Sequence, residues 1–144
     1  MKIRTGFVSN SSSSSFVIVG FKVNDDDVIE TVKALFGLSN EDILKQMKEN
    51  DYYSKHMGTK KDINEFCMEL LYEKENNKEF DFMRGGDSDI PDGEIIIGKI
   101  LADGGEYMES TVTNASTIVE DIKKIQEKSN NNENINIYTG TRAC

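Results

Sequence analysis

The sequence predicts an α+β fold: a single domain with one mixed or antiparallel sheet of about five strands and about four helices packed on it. Two apolar runs, "FVIVGF" at 16–21 and "EIIIGKIL" at 94–101, have the length and β-branched content of strands covered on both faces. Between them, apolar residues recur at helical spacing in successive stretches. Strand-like runs come in neighbouring pairs and the helical stretches come as a group, an order that differs from the strict alternation of a parallel α/β sheet. At 144 residues the chain suits one domain and is long enough to bury a core without disulfides or metals.

Residues 2–23 read as strand, serine-rich connection, strand, with Ile3, Thr5 and Phe7 alternating on one face of the first. Residues 25–75 read as the helical part. "NDDD" at 24–27 offers an N-cap asparagine and three carboxylates where a helix dipole favours them. Val28, Ile29, Val32, Leu35 and Phe36 follow at helical spacing, and Gly37 ends that helix. Ser39 and Asp42 are spaced as a capping box for a shorter helix with Ile43, Leu44 and Met47 inward. The clearest helix carries Ile63, Phe66, Cys67, Leu70 and Leu71 at i, i+3, i+4, i+7 and i+8. Residues 76–93 read as an acidic, turn-rich loop. Residues 94–140 read as β-β-α-β: the strand from Glu94, a turn at 103–105, a weaker strand from Tyr107 to Thr113, a helix facing inward through Ile118, Val119, Ile122 and Ile125, and the closing strand "INIYTGT".

Charge narrows the range of partners. With 17 basic and 26 acidic side chains the net charge is −9, which repels phosphate backbones and makes non-specific nucleic-acid binding an unfavourable reading. The charge is uneven. Residues 45–61 carry five lysines against two acids, with Tyr52 and Tyr53 among them, a pattern that single-strand nucleic-acid binders also use. Residues 62–94 carry eleven acids against three bases. That stretch suits docking of a basic protein partner, and Glu65, Glu69 and Glu73 fall at i, i+4 and i+8 along the clearest helix. The apolar runs are too short for a signal-peptide core or a membrane span, so the expected setting is the cytoplasm, with no membrane. Two cysteines, Cys67 and Cys144, make neither a disulfide framework nor a metal-ligand cluster.

The N-terminal segment "MKIRTGFVSNSSSSSFVIVGF" resembles the start of a widespread set of small proteins from phages, bacteria and archaea that open with a GFVSNSSSSSF-type motif. The ending "IYTGTRAC" is similar to the ending of some of them. The resemblance covers roughly the first 20 residues, implies a phage or mobile-element setting, and carries no activity with it.

Three groups are candidate sites. Ser11, Ser12, Ser13, Ser14 and Ser15 are expected to form an ordered hydroxyl-rich connection, whose backbone N–H groups and hydroxyls suit an anion, with Arg142 brought close if the closing strand joins the same sheet. Asp87, Asp89 and Asp92 could hold a divalent cation through oxygens, though Pro91 and Asp92 break the EF-hand spacing by one residue. Glu65, Glu69 and Glu73 form the acidic docking face. His56 is the lone histidine and has no nucleophile motif around it, so no catalytic residue is assigned and no cofactor beyond that cation is expected. The reading is a non-enzymatic binding or regulatory protein; the alternative is an anion- or metal-dependent activity at the serine connection or the 87–94 acids.

Overall fold

A computed structural model describes residues 13–73, 79–86, 90–103 and 114–143. Their order is β1 (Ser13–Asn24), α1 (Ile29–Phe36), α2 (Asn40–Lys48), a 3-10 turn at Tyr53–Lys55, α3 (Lys60–Tyr72), β2 (Asp81–Arg84), β3 (Glu94–Asp103), α4 (Ala115–Lys128) and β4 (Asn136–Ala143). The fold is α+β, with four α-helices and an antiparallel sheet of four strands ordered β2-β3-β1-β4 among the described residues.

The apolar strands are buried on both faces, as their composition predicts. Val19, Phe21 and Val23 of β1 join Ile95 and Ile97 of β3 against Val32, Leu35, Phe66, Leu70, Leu71 and Ile122 from the helices. On the opposite face Phe16, Ile18 and Ile96 pack with Met83 and Ile90. Gly20 and Gly98 face each other across the β1–β3 ladder. A Cβ on either would run into the backbone of the other strand, so only glycine permits this approach.

The helices start and stop largely where local chemistry places them. The Ser39 hydroxyl accepts the Asp42 N–H at 3.1 Å while the Asp42 carboxylate accepts the Ser39 N–H at 2.9 Å, the expected capping box. Gly37 closes α1 in the left-handed region at φ 64°. Thr59 and Asn114 cap α3 and α4 through their side-chain oxygens. One start differs: Asn24 is the last residue of β1, paired with Glu94, and α1 begins at Ile29 without a side-chain cap of its own. Strand pairing satisfies Asn24, and a turn absorbs the acids that follow it.

The sheet differs from the expectation in two places. The stretch read as an acidic loop at 76–93 contains β2, whose Phe82 and Met83 pair with Ile97 and Ile96. Its apolar centre is only two residues long between charged ends, too short to register as a period. The strand expected at Tyr107–Thr113 and the one at 2–9 lie outside the described residues. Phe16–Gly20 is flanked by β3 on one side and β4 on the other. Finally, Ser13, Ser14 and Ser15 belong to β1 itself, opposite Ala143, Arg142 and Thr141. Pairing with the closing strand satisfies their backbone and makes strand out of a composition that reads as loop.

Candidate functional site

An open groove of about 910 Å³ lies beside α3. One side is a helical stripe of Lys61, Asn64, Glu65, Met68, Glu69 and Tyr72. That spacing is i, i+3, i+4, i+7, i+8 and i+11, a single face spanning roughly 16 Å at 1.5 Å per residue. Lys60 at the start of α3 and Asp25, Asp26, Tyr53 and Arg84 from the β1–α1 connection, the 3-10 turn and β2 complete it. Its length matches about five residues of extended chain.

The groove is built on a fixed frame. Asn64 is 8% exposed, and both ends of its carboxamide are used: Oδ1 accepts the Val28 N–H at 2.8 Å and Nδ2 donates to the Asp25 carbonyl at 2.8 Å. The Asp25 N–H in turn donates to the Gly93 carbonyl at 2.8 Å. Arg84 donates to the Asp25 carboxylate through Nε and Nη2, each at 3.3 Å. Tyr72 stacks edge-on against Phe82 of β2. Three elements are thus tied together around one connection.

Apolar surface and acids meet in the middle of the groove. Met68 and Tyr53 are buried, and Tyr53 packs edge-on against Phe66. Burial first, then the nearby Glu69 and Glu65 carboxylates, push the Tyr53 pKa up to about 12. Glu65 and Glu69 are exposed, one turn apart, and have no cationic partner among the described residues. Two of the three nearby cations are engaged, Arg84 by Asp25 at 3.3 Å and Lys60 by Asp27 at 3.9 Å.

The structure brings together part of two of the three predicted groups. Glu65 and Glu69 line the groove, whereas Glu73 follows the last turn of α3, its N–H donating to the Glu69 carbonyl, and is not among the lining residues. Ser14 and Arg142 are register partners in the β1–β4 ladder, so the closing strand does join the sheet beside the serines, as strand rather than as a loop. Ser11, Ser12, Asp87 and Asp89 lie outside the described residues. Asp92 is exposed in the turn before β3, and no group of three metal-ligating side chains occurs among the described residues. The tyrosine pair in the basic stretch is not a stacking platform: Tyr53 is buried, while Tyr52 carries the His56 ring stacked on it at 4.4 Å. His56 Nδ1 donates to the Tyr52 carbonyl at 2.9 Å.

Sequence reasoning missed Tyr53, Asn64, Met68, Tyr72 and Arg84 as groove residues. The one available signal was the second stripe of α3, where Asn64, Met68 and Tyr72 recur beside the apolar face. Compared with protein-family models, curated proteins and solved structures, the chain matches none.

Proposed function

We propose that this chain is a non-enzymatic binding protein that docks a basic segment of a protein partner in the α3 groove. One observation carries the reading: Glu65 and Glu69 stand exposed and without a cationic partner among the described residues, beside the buried Met68 and Tyr53. An arginine or lysine laid there runs its aliphatic stem along the exposed Tyr72 ring and offers its charge to two carboxylates. The acidic balance of the chain, −9 overall, draws a basic partner in at long range. The N-terminal resemblance supports a phage or mobile-element setting, with the host cytoplasm as the place of action.

Binding of an arginine-rich peptide, followed by fluorescence anisotropy at low and high salt, tests this. The expected result is affinity that falls as salt rises and drops about tenfold in the Glu65→Gln/Glu69→Gln variant, the loss of one charge-assisted contact. Binding that ignores both changes refutes the groove as the docking site.

A further inference from the structure

The charges on the groove face of α3 run in an order that the helix itself disfavours. A helix dipole favours acids in the first turn and bases in the last. α3 has Lys60 and Lys61 in its first turn, beside Asp62, and no base in its last turn. Along the groove the order is Lys61, Glu65, Glu69, with the cation ahead of the carboxylates at i, i+4 and i+8, the weaker arrangement for pairs within one helix. All three are exposed, and none has an ion-pair partner among the described residues. Lys60 lines the same end but is held by Asp27 at 3.9 Å. A local preference broken with no local gain points to a use outside the helix.

We infer that the docked segment is of mixed charge, with an acidic residue over Lys61 and a basic residue over Glu65 and Glu69; this rests on the docking reading above and specifies the partner it takes. The midpoint between the two glutamates lies roughly 9 Å beyond Lys61 along the helix axis, about three residues of extended chain. An aspartate or glutamate about three positions from an arginine therefore meets all three charges at once. Tyr72, 53% exposed, ends the stripe and offers its ring to the apolar part of the same segment. A uniformly basic segment sets one of its charges against Lys61, so the groove discriminates among basic partners. Net charge makes this order diagnostic. At −9 the chain repels added negative charge at long range, so an aspartate in the segment weakens binding unless a local cation receives it.

Fluorescence anisotropy of the full chain with a pair of short peptides tests this. The two share one sequence with an arginine pair, and differ in carrying aspartate or asparagine about three positions from it. The aspartate peptide should bind the unaltered chain about threefold to fivefold more tightly, the scale of one exposed ion pair. Against Lys61→Gln the order should reverse, leaving the aspartate peptide the weaker of the two. Lys61 is exposed in the first turn of α3, so the circular dichroism spectrum of the variant should match that of the parent. If the asparagine peptide binds the unaltered chain as tightly as the aspartate peptide or more so, the mixed-charge partner is refuted while docking of basic segments stands. An aspartate advantage that persists in Lys61→Gln refutes it equally. Binding of neither peptide removes the docking reading and this inference with it.

Discussion

Asn64 of α3 holds the backbone of Val28, 36 residues earlier in the chain, through a 2.8 Å hydrogen bond from the Val28 N–H to Oδ1. The same side chain donates to the Asp25 carbonyl, so one buried carboxamide secures the turn that feeds α1 and forms one side of the groove. Asn64→Ala orphans a buried donor and an acceptor together. The expected cost is about 2–4 kcal/mol in urea denaturation, from about 1–3 kcal/mol per unsatisfied group. A loss below about 0.5 kcal/mol would show that water replaces both contacts.

The glycine pair in the centre of the sheet should tolerate no side chain. A Cβ at Gly20 meets the Ile97 carbonyl, and one at Gly98 meets the Val19 carbonyl, both backbone groups fixed in the ladder. Gly98→Ala should cost about 3 kcal/mol, the upper part of the range for overpacked interiors. Gly58, where an added Cβ meets nothing within 4 Å, supplies the control and should change stability little.

Leu70 lies on the buried face of α3 within the main apolar cluster. Truncation to alanine should cost about 2–5 kcal/mol by lost transfer energy and the cavity left behind. An unchanged denaturation midpoint would place the core elsewhere.

Alkaline pH should weaken the fold. Burial pushes the Cys67 thiol from an ordinary 9 up to about 11. Between those values the folded chain keeps a proton that the unfolded chain has released, so stability is intact below about pH 9 and falls as pH rises toward 11. Two units amount to about 3 kcal/mol. Tyr53, raised from 10 to about 12 by burial and by Glu69, continues the loss in the same direction. Urea midpoints from neutral pH to pH 11 measure it, and a flat profile contradicts it. In a Cys144→Ser background the remaining thiol should stay unreactive toward a disulfide reagent at neutral pH until the protein unfolds.

What could be read from the sequence was the local chemistry. The Ser39–Asp42 box, the Gly37 stop and the apolar face of α3 each depend on residues a few positions apart, and each is found in place. The groove depends on long-range partners: Arg84 meets Asp25 across 59 residues and Asn64 meets Val28 across 36. No periodicity reports such pairs. β2 was hidden for a related reason, since Asp81 and Arg84 read as loop residues until β3 supplies a ladder for the two apolar residues between them. Ser13–Ser15 show the converse, a polar run drawn into strand by β4. Glu65 and Glu69 were legible because helix spacing alone places them together on one face.

Chemical-shift mapping of an arginine-rich peptide on the isotope-labelled chain tests the docking groove most directly. The account predicts salt-sensitive shifts concentrated on Tyr53, Glu65, Met68, Glu69 and Tyr72, lost in the Glu65→Gln/Glu69→Gln variant. Shifts spread evenly over the acidic surface, or centred away from α3 and unchanged in that variant, would contradict it.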